Sequence, residues 1–445
     1  MNETEQSGRQ SDGIGAVASP GRGERQGMTR RTAIKTAAMA GAGVAAAPRV
    51  LFAGGQTATL RVGLVGCGGR GTGAAVNCVE SSAGVEIVAL GDLFADRLAS
   101  CRERLGERLG TALTATDATC FAGFDAYRAV LDTDIDMVIF ATPPAFRPIH
   151  LRAAIDAGKH VFMEKPVAVD PTGIRSVMES ARLAAGKGLA IVAGTQRRHE
   201  APYIEAMKRI HDGAIGEVVS AQVFWNQGGL WKRDRQPGWT DMEWQARNWL
   251  YFTWLSGDHI VEQHIHNLDV ANWALQGHPV KAVGVGGRQV RVEPEYGHIF
   301  DHFAIELEYP SGARVLSMCR QIDGSANHVG EHLVGTAGAA DPARWIRGAR
   351  AWEWGDAEYT NPYVQEHTDL IASIRAGTPL NEGRQVAEST LTAIMGREAA
   401  YTGQEIVWDE LLAADLSLVP ERFAFGPLPM PPVAVPGVTT LARTL

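Results

Sequence analysis

The 445-residue chain has few of the features that mark a disulfide-stapled scaffold, a membrane protein or a nucleic-acid-binding protein. Its five cysteines stand at unrelated spacings, so they form neither a disulfide framework nor a zinc-binding pattern. No run of apolar residues approaches the roughly 18 needed to span a bilayer, which excludes a polytopic membrane protein. With 42 Lys and Arg against 50 Asp and Glu, the net charge is −8, and no dense basic stripe favours nucleic acid.

Glycine is the residue present in excess. The chain has 50 glycines in 445 residues, about 11%, against roughly 7% in average proteins. No internal repeat accounts for them. The length indicates two or three domains, so the position of the glycines within those domains becomes informative.

Residues 1–57 have the pattern of a leader rather than of a folded domain. Met28-Thr29-Arg30-Arg31 contains paired arginines, and a weakly apolar Ala/Gly run follows at residues 37–47. This is the pattern of a twin-arginine signal peptide, whose apolar run is too short to span a bilayer. We expect export to the periplasm through the Tat machinery; a disordered basic tail is the alternative.

Residues 58–194 alternate short β-branched runs with helical stretches. This alternation predicts an α/β domain with a doubly wound parallel sheet and helices on both faces. A helix after Asp170-Pro171, which supply an N-cap and a first-turn proline, should end near Gly188. The predicted strands are 60–65, 85–90, 136–141, 159–163 and 189–193.

Residues 195–415 predict a different architecture. The longer alternating runs at 217–225, 280–290, 301–309 and 313–319, with a turn at Pro310-Ser311-Gly312, predict an α+β domain with a large, open, mostly antiparallel sheet. A helical stretch over 364–401 should pack back onto the first domain. Residues 416–445 are rich in proline and predict an extended tail.

A glycine motif follows the first predicted strand directly. Gly66, Gly68 and Gly71 form G-x-G-x-x-G, in which the glycines permit a tight turn, close approach of a pyrophosphate and close helix packing. Asp92 ends the next strand, where its carboxylate can accept both ribose hydroxyls and repel a 2′-phosphate. This predicts NAD as the cofactor, with NADP still possible because the preference depends on Asp92 alone. The predicted dinucleotide contacts here are Gly66, Gly68, Gly69, Arg70, Gly71 and Asp92.

Two further motifs follow later strands, Thr142-Pro143-Pro144 and Glu164-Lys165-Pro166. Ligands bind at the carboxyl edge of a parallel sheet, so both motifs are predicted to contact the cofactor. Lys165 can hydrogen-bond a reacting hydroxyl or tune a neighbouring base, and a cis proline after it would fix its direction. A surface lysine on a connecting loop is the alternative.

A third constellation contains Glu262, His266 and Asp269. These residues are four and three apart in a segment of helical periodicity, so they should share one face. A histidine flanked by carboxylates can take a proton from a hydroxyl while hydride leaves. A metal site is not predicted, because no further ligands stand at metal-binding spacing. His264 lies roughly opposite and is expected to be structural or to contact substrate at the rim.

With the glycine motif, Thr142-Pro143-Pro144 and Glu164-Lys165-Pro166 in this order, the chain resembles the Gfo/Idh/MocA family of sugar and inositol oxidoreductases, most closely its exported members. The resemblance extends through residues 194–199 to about residue 415. It implies a two-domain NAD(P)-dependent enzyme with its active site between the domains and with Lys165 in the place of the family's lysine. Arg198 and His199 become candidate substrate contacts, and a homo-oligomer through the C-terminal sheet is expected. Family members usually have Asp where this chain has Glu262, which leaves the proton-transfer partner open.

Six of the eleven tryptophans lie within residues 225–254, interleaved with charged residues. Flat apolar rings and bidentate polar groups are the two contacts that a sugar ring can use. Trp231 and Trp254 are therefore predicted substrate contacts, although packing in a core or an interface is the alternative for any single tryptophan.

Together these patterns predict an NAD(P)-dependent oxidoreductase that transfers a hydride between nicotinamide and a sugar, inositol or related polyol, with a tightly held cofactor. The same residues also permit an NAD-dependent glycosidase, in which transient oxidation acidifies the neighbouring C–H and leads to elimination. A sugar-binding protein without catalysis is a third reading.

Overall fold

The computed structural model describes residues 59–441. The predicted leader and its twin-arginine signal lie outside these described residues, and the predicted domain limits stay predictions. None of the helices in the described chain is long and apolar enough to cross a bilayer.

The N-terminal part folds around a six-stranded parallel sheet of order β3-β2-β1-β4-β5-β6, which confirms the predicted doubly wound architecture. Every residue of the central strands β4 and β5 is buried, as expected for strands covered on both faces. The short strand β3 was not predicted, because three half-buried residues carry little periodicity. The strands are β1 (Leu60–Val65), β2 (Val85–Asp92), β3 (Cys120–Ala122), β4 (Met137–Phe140), β5 (His160–Met163) and β6 (Ile191–Ala193).

The helix predicted after Asp170-Pro171 begins and ends where the sequence indicates. The Asp170 carboxylate accepts a hydrogen bond from the Gly173 amide at 2.7 Å, and Gly188 ends the same helix with φ of 68°. The crossover helices of this parallel-sheet domain are α1 (Gly69–Ser81), α2 (Ala95–Leu109), α3 (Ala126–Leu131), α4 (Arg147–Asp156) and α5 (Pro171–Lys187).

The C-terminal part is built on a nine-stranded sheet of order β14-β13-β12-β11-β7-β10-β9-β8-β15. Its pairs are antiparallel apart from β7 and β10, which run parallel, so the predicted mostly antiparallel sheet is confirmed with one exception. The predicted turn joins β9 and β10, where Gly312 has φ of 84°. The strands are β7 (Val218–Gln227), β8 (Lys281–Gly287), β9 (His302–Glu308), β10 (Arg314–Gln321), β11 (His328–Gly335), β12 (Gly338–Asp341), β13 (Trp345–Gly348), β14 (Trp352–Glu353) and β15 (Ile406–Val407).

The helices that follow β6 pack partly on the sheet of this mixed-sheet domain and partly on the parallel-sheet domain. Residues 228–280, which we call the crossover segment, connect β7 to β8 and contain α7 to α10. The helices are α6 (Ala201–His211), α7 (Asp241–Arg247), α8 (Thr253–Ser256), α9 (His259–Glu262), α10 (Ile265–Ala274), α11 (Pro362–Arg375), α12 (Gly383–Thr402) and α13 (Trp408–Ala413).

The helix α11 packs back on the parallel-sheet domain, as predicted. Its residues Leu370, Ile371 and Ile374 are buried in the same apolar cluster as β1 and β2. Arg375 donates a hydrogen bond to the carbonyl of Ala83 at 2.7 Å. The first domain is therefore completed by a helix from the far end of the chain.

Residues 416–441 form an extended C-terminal arm without helix or named strand. It begins against the first domain, where the Leu418 amide donates to the Asp170 carboxylate at 2.8 Å. The arm includes the proline-rich stretch for which the sequence predicts an extended tail.

Candidate active site

The glycine motif forms a tight turn between β1 and α1. Gly66 has φ of 101°, a conformation that favours glycine, and a side chain at Gly71 would collide with the carbonyl oxygen of Gly66. A Cβ at Gly68 would meet only the Arg97 guanidinium, at 3.9 Å, and one at Gly69 would meet nothing. The turn therefore leaves an open face at the N-terminus of α1, which is the geometry that receives a pyrophosphate.

Asp92 lies beside this turn and holds it. Its carboxylate accepts hydrogen bonds from the amides of Cys67 at 2.6 Å and Phe94 at 2.8 Å. Burial raises the pKa of Asp92, although the two amides lower it. Arg97 projects into the same space without a hydrogen-bond or ion-pair partner among the described residues, and burial lowers its pKa. An unpaired guanidinium beside an open glycine turn fits an anionic ligand.

These groups line the first of two adjoining cavities, which we call the glycine-loop cavity. Its floor comes from Gly66, Gly68 and Asp92, and the mixed-sheet domain contributes Ala246 and Trp249. The aromatic rings in its lining are those of Phe94, Phe124, Tyr127, Phe146 and Trp249.

The second cavity, which we call the lysine cavity, encloses about 290 Å³ and shares Ala141, Thr142 and Trp249 with the first. Pro143 lines the first cavity and Pro144 the second. An elongated ligand can therefore pass from one cavity to the other beneath Trp249. This is the arrangement that a dinucleotide requires.

Lys165 lies in the lysine cavity and faces the mixed-sheet domain. Its Nζ atom is 3.0 Å from Glu262 Oε1, and it also donates to the backbone carbonyl of Glu262. Both side chains are largely buried, with exposed fractions of 13% and 14%. The ammonium has three donors, so two are used by Glu262 and one is left for a ligand.

The backbone next to Lys165 is held in place by hydrogen bonds from a buried arginine. Its peptide bond to Pro166 is cis, as predicted. The buried Arg147 guanidinium donates to the carbonyls of Pro166 at 3.1 Å and Phe140 at 3.2 Å, and burial lowers the pKa of Arg147 to about 10. Arg147 therefore positions the strand end that presents the lysine.

His266 lies in the same cavity and is stacked on Trp225, with ring centroids 5.6 Å apart. Burial holds the pKa of His266 well below its usual range, and the charges of Lys165, Arg197 and Arg70 lower it further. Its Nδ1 atom has no hydrogen-bond partner among the described residues. His266 is therefore a neutral imidazole with free capacity to exchange a proton.

The predicted single helix over residues 262–269 is wrong, because α9 ends at Glu262 and α10 begins at Ile265. Glu262 and His266 still meet in the lysine cavity, but Asp269 does not join them. Its carboxylate accepts two hydrogen bonds from Arg198, at 2.8 and 3.0 Å, and one from Ser389 at 2.7 Å. Asp269 therefore has a structural role, in which it connects Arg198 and Ser389, and it does not act beside His266.

Glu164 and Arg70 connect the two motifs of the first domain to α11. They form an ion pair, and Arg70 also pairs with the buried Glu366 at 3.1 Å. Arg70 lies 4.6 Å from the ring centroid of Tyr363, which lines the lysine cavity. Burial and the charge of Glu164 raise the pKa of Glu366 well above its usual range.

Neither Arg198 nor His199 lines the lysine cavity, although both were predicted as substrate contacts. Arg198 faces a separate surface pocket, where it pairs with Asp269. His199 bridges Asp369 at 2.6 Å and Glu382 at 3.2 Å. Although burial lowers it, these two carboxylates raise the pKa of His199 to about 10.

Two further residues predicted to contact the substrate are buried in the protein interior. Trp254 is 1% exposed and donates from Nε1 to Gln245 at 2.7 Å, so its prediction as a substrate contact is wrong. His264 is fully buried against Ser317 at 2.8 Å, and burial lowers its pKa to about 3, so it too is structural. Trp231 is 45% exposed and packs edge-on against Trp249.

Many of the residues that line the two cavities were not among the predicted site residues, and four of these carry polar or aromatic groups that bear on ligand binding: Trp249, Tyr363, Arg147 and Arg97. Trp249 belongs to the tryptophan cluster that the sequence singles out, and Tyr363 immediately precedes the stretch predicted to pack on the first domain. Arg147 and Arg97 carry no local signal, because tertiary packing alone brings them to the cavities. Among residues 59–441, no cluster of His, Cys, Asp and Glu could hold a metal ion.

A glycine turn at the N-terminus of a helix, an aromatic cavity and an adjoining cavity with lysine and neutral histidine define a two-domain nicotinamide-dependent oxidoreductase. The sequence agrees with this class. Residues 60–194 match the oxidoreductase family with an NAD-binding Rossmann fold, and residues 203–341 match the GFO/IDH/MocA C-terminal domain. The chain belongs to the Gfo/Idh/MocA family and is an NAD(P)-dependent oxidoreductase acting on CH–OH groups.

Individual proteins of known identity resemble the chain over most of its length. Inositol 2-dehydrogenase 3 of Saccharopolyspora erythraea is 30% identical over 364 residues, which cover 78% of this chain and 95% of that protein. Aldose-aldose oxidoreductase from Caulobacter crescentus, crystallised with glycerol, has a TM-score of 0.62 at 20% identity, covering 78% and 99% of the two chains. Levoglucosan dehydrogenase in complex with NADH and levoglucosan has a TM-score of 0.61 at 18% identity, covering 78% and 99%. The two structures share the fold with this chain.

Proposed function

We propose that the protein transfers a hydride between a nicotinamide cofactor and a secondary hydroxyl or carbonyl carbon of a sugar, inositol or related polyol. The observation that carries the proposal is the convergence of Lys165, Glu262 and the neutral His266 in one cavity. That cavity adjoins the one formed by the glycine turn. The inositol dehydrogenase relative supports a polyol as the substrate class.

The residues divide the proton chemistry between them. The donor of Lys165 that Glu262 leaves free binds the substrate oxygen and stabilises negative charge as it develops there. His266 accepts the hydroxyl proton during oxidation and returns it during reduction. Glu262 keeps Lys165 directed at the substrate. A bound nicotinamide supplies the hydride acceptor or donor.

The electrostatics of the cavity suit this division. The cations that keep His266 neutral are Lys165, Arg197 and Arg70, of which Lys165 lies closest to the reacting oxygen in this assignment. A cation beside a hydroxyl lowers the pKa of that hydroxyl as well. The lowered pKa of the donor therefore offsets the low basicity of the imidazole that accepts the proton.

The test is to identify the nucleotide released from purified protein by mass spectrometry and then to follow a panel of sugars and inositols at the nicotinamide absorbance. We expect NAD or NADP and turnover of at least one polyol, with turnover lost in Lys165→Met. Net hydrolysis of an aryl glycoside without net redox change would favour the glycosidase mechanism instead. Ligand binding without any turnover by the unaltered protein would favour a sugar-binding protein.

We further propose that the protein is exported by the Tat pathway with its cofactor loaded, and that a second sugar regenerates the bound cofactor. The support is the twin-arginine pattern at Arg30-Arg31 and the ability of that pathway to carry folded proteins. The name of the Caulobacter neighbour describes such an exchange between two aldoses. Cell fractionation and sequencing of the mature N-terminus test the export. Turnover with paired sugars and no added nucleotide tests the exchange.

We also propose that two copies of the chain associate through the outer face of the mixed sheet. An apolar row crosses four neighbouring strands there in register: Phe224 pairs with Met318, Met318 with Ala304, and Ala304 with Val285. Val285 is 69% exposed, which is unusual for an apolar residue inside a sheet.

A further inference from the structure

The C-terminal arm is attached to both sides of the glycine-loop cavity. Five prolines between residues 427 and 436 restrict its backbone, so little conformational freedom is lost when it docks. The arm lies outside the cavity and contributes none of its lining residues. Its effect on the cavity is therefore indirect, through the residues that it contacts.

On one side, the arm stacks on aromatic residues that form the wall of the cavity. The Phe425 ring lies 6.0 Å from that of Phe94 and 5.0 Å from that of Phe124. The Phe423 ring lies 5.0 Å from that of Phe146. All three partners line the glycine-loop cavity and belong to the parallel-sheet domain.

On the other side, the next residues of the arm bind α7 of the crossover segment. The Met242 amide donates to the Gly426 carbonyl at 3.2 Å. The Leu428 amide donates to the Asp241 carboxylate at 3.0 Å, and its carbonyl accepts from Gln245 Nε2 at 2.7 Å. Residues 423–428 therefore contact the parallel-sheet domain and the mixed-sheet domain within one short stretch.

The part of the crossover segment that the arm binds forms the roof of the same cavity, through Ala246 and Trp249. The crossover segment and the wall also contact each other directly, through the edge-on pair of Trp254 and Phe146, 6.3 Å apart, and through Arg247. Arg247 pairs with Asp96 at 3.0 Å and lies 3.8 Å from the ring centroid of Phe94. Phe94 is thus held by Arg247 from one side and by Phe425 from another.

We propose that Phe423 and Phe425 are positioning residues that hold the dinucleotide cavity closed, so that the release rate of the nucleotide is set by detachment of the arm. The proposal rests on the proposed function, because it assumes a nicotinamide dinucleotide in the glycine-loop cavity. For that ligand to leave, wall and roof must separate, and residues 423–428 connect them. Retention of the cofactor is thereby assigned to a segment far from the cofactor motif in sequence.

The experiment uses the full chain loaded with NADH. Release is followed by the loss of nicotinamide fluorescence after mixing with excess NAD, for the unaltered protein, Phe425→Ala and the double variant Phe423→Ala/Phe425→Ala. We expect release to be roughly tenfold faster in the single variant and faster again in the double variant, because aromatic pairs that resist opening are lost. Phe425 is 46% exposed, so its removal should leave folding intact.

Two control variants separate this role from a general loss of structure. Met430→Ala changes an arm residue that is 43% exposed and lies beyond the aromatic contacts, and it should leave the release rate unchanged. Phe425→Tyr keeps the stacking and should restore slow release. Equal release rates in the unaltered protein and in Phe425→Ala, both shown to bind NADH, would overturn the proposal. Failure of the unaltered protein to bind NADH would instead overturn the assigned cofactor.

Discussion

Lys165 and Glu262 belong to different domains and meet at 3.0 Å in the cavity between them. The lysine also donates to the backbone carbonyl of Glu262, so its direction depends on where the end of α9 lies and not only on the side chain of the glutamate. The orientation of the Lys165 side chain therefore depends on how the two domains pack against each other. A glutamate in place of the family's usual aspartate is compatible with this geometry.

Replacing Lys165 by methionine should abolish turnover while leaving nucleotide binding in place. The side chain keeps most of its length but loses the donor for the substrate oxygen, and such a group contributes about 10²- to 10⁴-fold to the rate. Steady-state kinetics with the best polyol, together with NADH titration, measure the two effects. Retention of more than a tenth of the parental kcat would contradict the assignment of Lys165.

The pH dependence of His266 should have its acidic limb far below the usual range for histidine. Burial and the neighbouring cations lower its pKa, so the imidazole is already neutral at pH 6 and oxidation needs no further deprotonation of it. We expect kcat for oxidation to stay level between about pH 5.5 and 7.5 and to fall by a constant factor in His266→Asn. A limb near pH 6.5 that disappears in the variant would contradict this.

Arg97 should contribute to nucleotide binding, because it is an unpaired guanidinium beside an open glycine turn. Arg97→Ala is expected to weaken NADH binding about tenfold and NADPH binding further, since a charge-assisted hydrogen bond to phosphate is lost. Isothermal titration with both nucleotides provides the measurement. Arg104→Ala, on an exposed part of α2, is the matched control. Unchanged affinities in Arg97→Ala would place the diphosphate elsewhere.

His199 should stabilise the fold in a pH-dependent way. Its pKa rises from 6.5 to about 10 because Asp369 and Glu382 favour the charged form in spite of burial. The stabilisation is therefore complete below pH 6.5 and is lost as the pH rises towards about 10. The free energy of unfolding should fall by a few kcal/mol over this window. His199→Gln should remove that slope in chemical denaturation, and a slope identical to the parental one would show that His199 is not its source.

Self-association of the protein through the outer face of the mixed sheet should be disrupted by a single charged side chain introduced there. Val285→Glu places a carboxylate at the end of the apolar row and should convert the associated protein to a monomer with little change in thermal stability, because the side chain is exposed. Light scattering coupled to size-exclusion chromatography gives the mass. Val438→Glu, which alters a 74% exposed valine in the arm, should have no effect. A parental protein that is itself monomeric would refute the proposed interface.

Sequence patterns predicted the parts of the site that depend on local rules. The glycine turn and Lys165 follow from the rule that ligands lie at the carboxyl ends of parallel strands. The four-residue spacing of Glu262 and His266 suggested proximity. They do come together, although the helix assumed between them is interrupted at Gln263 and His264.

Other parts depended on tertiary contacts that no local pattern carries. Asp269 has suitable spacing from His266, but Arg198 and Ser389 bind its carboxylate on another side. Trp254 and Trp249 are five residues apart in the same cluster, yet one is core and the other lines both cavities. The strands β11 to β14 were not predicted, since several are short and contain glycine.

The crossover segment leaves the mixed sheet at the end of β7 and returns at β8, with the two strands β10 and β9 lying between them in the sheet. Glu262, His266 and Trp249 all belong to this single continuous stretch, whereas the sheet that supports it contributes its opposite face to self-association in our proposal. Substitutions within residues 228–280 can thus change this side of the lysine cavity without altering the register of the strands that support it.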